Sequence, residues 1–290
     1  MVQNPRGQIP DVQRTYDTVG RCIYCPPSTT PAVRLGEEHI IPLSFGGGRV
    51  LPFASCRRHE KITTQFEDHC FKGMMETARD HLGLRGRQKI KKRDKLRVLL
   101  TDGTRSEPLP LKDHPSALII PKMPVPTVYY KKHETGDLPP AAQITITPMG
   151  NDIIERAKRL GREINLTRGL SALQFYRLIA KIAHSFAVAE LGFTFAPYLI
   201  NLIEANPPLF ASHLVGGGFV DIPNAANTLH EIEFAPSLEG PAGDELLMVR
   251  VRLFGLHRFR RHRVRCFDGT GGESWRGGSL HESSSLRRCG

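Results

Sequence analysis

The sequence lacks any apolar run long enough to cross a membrane. Its longest, around Leu178 to Leu191, is broken by Lys181, His184, Ser185 and Glu190, whereas a spanning helix needs about 20 consecutive apolar residues. Met1 to Thr18 is polar and carries proline, without the charged-then-apolar order of a secretory leader. Cysteine is scarce and unevenly placed, six in 290 residues at positions 22, 25, 56, 70, 266 and 289. That is not the dense framework that staples small secreted domains. These absences predict a cytoplasmic chain with no membrane segment, whose thiols stay reduced and free to bind metal. No phosphate-loop or dinucleotide-binding fingerprint occurs, and no internal repeat, which sets aside those nucleotide-binding classes and solenoids. Acidic residues are also in deficit, 29 Asp and Glu against 40 Lys and Arg, for a formal charge of +11. A surface so charged attracts polyanions, of which nucleic acid is the commonest.

The chain is long enough for one large domain or two small ones and for a real core. We read residues 1–20 as a flexible lead-in and 21–84 as a compact, motif-dense domain. A basic linker follows at 85–98, then a domain of unassigned role at 99–256, and a disordered basic tail at 257–290. In 21–84, Glu37 to Leu43 suits a short strand, Gly46-Gly47-Gly48 a loop, and Cys56 to Cys70 a helix with Ile62 and Phe66 on one face. Met74 to His81 continues helically. Strands are predicted at 96–100, 117–120, 127–130, 143–147 and 246–253. Helices are predicted after the cap at Gly150-Asn151-Asp152 and from Ser171 to Leu191. Strands, then helices, then a strand define an α+β class. In the tail the hydrophobic period vanishes, and eight arginines face only Asp268, Glu273 and Glu282.

The chemistry concentrates near the N-terminus. Cys22-x-x-Cys25 closes a knuckle, and Cys56-x-x-His59 supplies a second ligand pair from a helix start. Together they offer one tetrahedral zinc ion four soft or imidazole ligands. Between the pairs lies Glu38-His39, an acid and a histidine of the kind that metal-assisted hydrolysis uses. Adjacent residues on a strand point to opposite faces unless the backbone bends.

The run Cys22-Ile-Tyr-Cys25, Glu38-His39-Ile-Ile-Pro42-Leu, Gly46-Gly47, Leu51-Pro52-Phe-Ala-Ser55-Cys56 and Glu60-Lys61-Ile62-Thr63 resembles the HNH endonuclease family. The resemblance covers about residues 21–68. It implies a ββα-metal fold in a zinc-bound, treble-clef-like frame. It makes His39 the general base, Glu38 an acidic ligand of a catalytic ion, and Glu60 the helix-borne ligand. Oxygen donors suit Mg²⁺ or Mn²⁺. The substrate implied is DNA, with RNA open. The chain departs from the family pattern in three places. Gly48, beside Arg49, stands where many members carry an asparagine that orients the base, Glu60 stands where a last histidine is usual, and the fourth zinc ligand is His59 rather than Cys.

Duller readings accompany each residue. His39 could be a half-buried strand histidine, Glu38 a solvated charge or a partner of Arg34, and Glu60 a first-turn acid favoured by the helix dipole. His59 could serve the catalytic ion instead of zinc. Arg57, Arg58 and Lys61 could contact phosphates or simply face water. The cluster of Arg85, Arg87, Lys91, Lys92 and Arg93 reads as a DNA-backbone contact beside this motif. The rival to catalysis is a weakened or inactive zinc-bound nucleic-acid-binding module.

Overall fold

The computed structural model describes residues 11–29, 34–84, 95–124, 126, 128, 143–148, 153–165, 171–204, 211–217, 228–239 and 245–254. The basic positions Arg85, Arg87, Lys91, Lys92 and Arg93, the tail 257–290 and the cap at 150–152 lie outside these residues, as does nearly all of the strand expected at 127–130.

Helices and strands mix as an α+β protein should. A three-stranded sheet in the order β1-β3-β2 combines β1 (Arg14–Thr15), β2 (Leu35–His39) and β3 (Arg49–Cys56). Strands β2 and β3 are antiparallel, pairing Glu38 with Leu51 and His39 with Val50. Between them, Leu43–Phe45 forms one 3₁₀ turn closed by Gly46 at φ 86°, a left-handed conformation that costs glycine little. Strand β3 runs straight into α1 (Arg57–His69), which widens through a π turn at Cys70–Met74 into α2 (Glu76–Leu82). The expected helix over 56–70 and its continuation are both present.

The lead-in reading of 1–20 needs correcting for its second half. Residues 14–15 pair in parallel with β3, Tyr16 is buried, and the Asp11 carboxylate accepts the Gly48 N–H at 2.9 Å. A Cβ at Gly48 would stand 2.7 Å from the Val12 carbonyl oxygen and closer still to the Gln13 side chain. This close approach explains why no asparagine is found at position 48.

The rest of the chain supplies pairs of strands and a long helix. Strands β4 (Lys95–Leu96) and β5 (Leu109–Pro110) pair, as do β6 (Ala117–Lys122) and β7 (Gln143–Pro148); α3 spans Ile153–Arg159. Helix α4 (Ala172–Leu191) is followed by α5 (Ile200–Ile203) and α6 (Ala211–Leu214), and the hairpin of β8 (Glu231–Glu239) and β9 (Glu245–Arg252) ends the described fold. Ser171 caps α4 by accepting the Gln174 N–H.

The sequence boundary between 21–84 and 99–256 is not a boundary in packing. Helix α4 lies against α1, and a single buried cluster joins Ile23, Tyr24, Ile40, Leu51 and Phe66 to Leu178, Ile182, Leu229 and Phe254. Buried His230 donates from Nε2 to the Phe45 carbonyl at 2.8 Å and so ties β8 to the turn after β2. Both segments fold around one core.

Candidate metal centre

Four side chains converge where the two ligand pairs were expected. His59 Nδ1 lies 3.4 Å from Cys22 Sγ, 3.5 Å from Cys25 Sγ and 3.3 Å from Cys56 Sγ. Cys25 and Cys56 sulfurs are 3.9 Å apart. All four ligand atoms fall within 4.8 Å of one another. A zinc tetrahedron with Zn–S near 2.3 Å has S···S edges of roughly 3.8 Å, so the cluster is the size that zinc needs. Among the described residues it is the one group of three or more Cys, His or acidic side chains able to hold a metal ion.

Local geometry explains the convergence. Cys56 is the extended residue just before α1, and His59 sits in the first turn three positions on, so the two share a face. The knuckle is held against β3 by Ile23 N–H donating to the Ala54 carbonyl at 2.9 Å. Burial raises the Cys22 thiol, but the His59 bond and the Cys56 and Tyr24 backbone amides outweigh it and bring it to about 6. Cys25 goes the other way, pushed up to about 12 by burial and by the neighbouring Cys22 charge. His59 is lowered by burial, then lifted to about 9 overall by Cys22 and Glu204. Binding a metal ion must therefore expel protons, and affinity falls as the pH is lowered.

The second ring nitrogen of His59 points at a residue that sequence reasoning missed. Glu204, just beyond α5, places Oε1 2.9 Å from His59 Nε2 and 2.9 Å from Arg58 Nη2. Arg177 holds this end of α5 by donating Nε and Nη2 to the Ile203 carbonyl at 3.1 and 2.7 Å. A carboxylate behind a ligating imidazole fixes its tautomer and orientation, and losing one costs about 10- to 100-fold in metal affinity. Glu204→Gln should weaken zinc binding by that factor in a chelator competition, with the protein still folded. An unchanged affinity would make Glu204 a mere surface partner of Arg58.

Glu204 is one of several long-range partners delivered by the helical segment. Buried Arg177, Lys181, His184 and Ser185 line one stripe of α4. Each grips a different part of the metal-bearing unit or its surroundings. The Arg177 guanidinium stands over the Phe66 ring, the Ser185 hydroxyl meets the Tyr24 hydroxyl at 3.0 Å, and His184 Nε2 donates to the Ile23 carbonyl at 2.8 Å. Polar residues recurring at helical spacing inside an apolar run were the available signal.

Burial lowers His184 to about 4. Its folded value lies below the ordinary 6.5, so the unfolded chain takes up the proton first as the pH falls. Stability is therefore lost between about pH 6.5 and pH 4, by roughly 3 kcal/mol in all. Urea midpoints from pH 7 to pH 4.5 should fall more steeply for wild type than for His184→Gln. Equal slopes would remove His184 as the source.

The two residues expected to hold a catalytic ion, Glu38 and Glu60, sit in different surroundings. Glu38 is buried on β2, with Oε1 2.5 Å from Lys181 Nζ. Glu60 is exposed on the first turn of α1, where it shares a shallow open depression with Arg57, Lys61, Thr64 and Gln65. Glu38, His39 and Glu60 form no group of three metal ligands among the described residues, and the Glu38 carboxylate is committed to Lys181. His39 is half-buried at the end of β2. Of the cations expected to meet phosphate, Arg57 and Lys61 are exposed on α1, while Arg58 is engaged by Glu204.

Among the described residues, no helix is long and apolar enough to cross a membrane. The sequence matches no family model and no curated protein, and the fold matches no solved structure.

Proposed function

We propose that this chain is an HNH-type endonuclease that hydrolyses phosphodiester bonds of DNA, built on a ββα module clamped by structural zinc. The observation that carries this reading is the placement of His39. It ends β2 opposite Val50 of β3, and β3 leads through the Cys₃His cluster into α1. That is where the resemblance places the histidine that activates water. The excess of +11 and the exposed Arg57 and Lys61 suit a polyanionic substrate.

In this reading His39 removes the proton from the attacking water. The cations on α1 hold the phosphate backbone, and zinc sets the geometry of the strand and helix without entering the reaction. No step is assigned to an ion at Glu38 and Glu60.

A supercoiled-plasmid assay tests the reading, run with Mg²⁺, with Mn²⁺ and with a chelator, and repeated on an RNA substrate. Wild type should nick DNA, and His39→Ala should lose about 100-fold or more of the rate with zinc content unchanged. Equal nicking by both proteins would remove His39 from catalysis.

A second reading is favoured by the Glu38–Lys181 ion pair, which occupies the acidic position the reaction was expected to use. In it the module binds nucleic acid without cutting. Salt-sensitive binding that is equal in wild type and His39→Ala, with no nicking under any ion, would select it.

A further inference from the structure

The ammonium of Lys181 sits on α4, 142 positions from the end of β2, yet it is the centre of the charged site there. It is 1 % exposed. Its Nζ lies 2.5 Å from Glu38 Oε1 and 3.0 Å from Glu67 Oε1 of α1. It donates to the His39 carbonyl, and the Ile40 carbonyl oxygen lies 3.4 Å away. An ammonium has three N–H donors, and here two carboxylates and a carbonyl take them. Oxygen donors of this kind, carboxylate and backbone carbonyl, are what a hard divalent cation would also collect.

We propose that Lys181 is the built-in cation of this site: its ammonium stands where a divalent ion would otherwise sit beside Glu38, and it sets the His39-bearing end of β2 without one. Three features carry this. The seat is saturated, because every donor of the ammonium already has an acceptor. The cation cannot exchange, because its stem belongs to a helix buried along most of its length. The contacts also reach the right target, since the group gripped beyond the carboxylates is the backbone of His39 itself. Burial lowers the Lys181 ammonium, but Glu38 and Glu67 together raise it above its ordinary value, so it remains charged.

Lys181 is thus a positioning residue: it acts on His39 through the peptide and touches no substrate. The inference stands on the ion-pair geometry and holds whether the module cuts nucleic acid or only binds it. Its test uses no nucleic acid, so its failure is separate from failure of the nuclease reading.

The experiment is a Mn²⁺ titration of the full, zinc-loaded chain, following the free-ion signal by electron paramagnetic resonance. Mn²⁺ is hard and leaves a thiolate-bound zinc in place. Wild type should show no Mn²⁺ binding that Glu38→Gln removes. Lys181→Ala should gain a site at least ~10-fold tighter than any in wild type, and Lys181→Ala with Glu38→Gln should lose it. Glu38-dependent Mn²⁺ binding by wild type overturns the proposal, as does a folded Lys181→Ala that gains no site. If Lys181→Ala does not fold alone, refolding with and without Mn²⁺ decides. Recovery only with the ion supports the exchange of ammonium for metal, and no recovery in either overturns it.

Discussion

Cys22→Ser should release zinc and unfold far more than the knuckle that carries it. The sulfur of Cys22 is one of three thiols around His59, and apparent binding energies for structural zinc in small fingers are about 10–16 kcal/mol. Losing one ligand of four forfeits a large part of that. The loss then spreads by contact. Tyr24, inside the knuckle, has its ring 5.4 Å from the His59 ring and its hydroxyl on Ser185 of α4. Ile23 is held by His184 and by Ala54. Knuckle, sheet and α4 should therefore melt together in one transition, well below wild type. Metal analysis beside thermal melting checks this, and a folded Cys22→Ser protein that keeps its full metal content would sink the zinc assignment.

Lys181→Met should be nearly as damaging, for an electrostatic reason. Methionine matches most of the lysine stem but removes the counter-charge, leaving buried Glu38 and half-buried Glu67 without it. Breaking a buried ion pair by removing one partner costs about 3–5 kcal/mol. Part of the strain is already visible in wild type, where burial raises Glu67, Lys181 lowers it and Glu38 raises it again, with a net upward shift. Neutralising the whole cluster, as Glu38→Gln, Lys181→Met and Glu67→Gln in one chain, should recover much of the loss. Denaturant unfolding of the single and triple variants measures both. A single variant within about 1 kcal/mol of wild type would mean that water reaches the site and screens it.

The two predictions rest on features of very different visibility in the sequence. The candidate metal ligands were legible because their geometry is local. Two cysteines three positions apart close a knuckle, and Cys56 and His59 share the first turn of a helix. Strand β3, between the glycines and Cys56, was not read as a strand. Pro52 interrupts its pattern, and Phe53 takes φ 50° with 59 % of its surface exposed. A left-handed aromatic costs about 1–2 kcal/mol, and no alternation rule anticipates it. Strand β8 was also missed. Pro236 lies at its register shift, and its acids are poor strand formers. The lead-in was misjudged for a related reason. Two residues of parallel pairing and one buried tyrosine leave no period to detect.

What the sequence by itself determined is the metal cluster, the α+β class, the positive charge, and the positions of α1, α4 and β9, since each depends on spacing within a few turns or on composition. What only the tertiary structure decided is the fate of the charged residues. Glu38 was equally consistent with an ion ligand, a solvated acid or a partner of Arg34. Lys181 was an interruption in an apolar run, and Glu204 carried no signal. Their pairing spans 142 residues for Lys181 with the His39 carbonyl and 145 for Glu204 with His59. Burial turns these pairings into strong constraints, because a charge inside a protein must find a partner. Which partner it finds depends on which helix the fold lays over it.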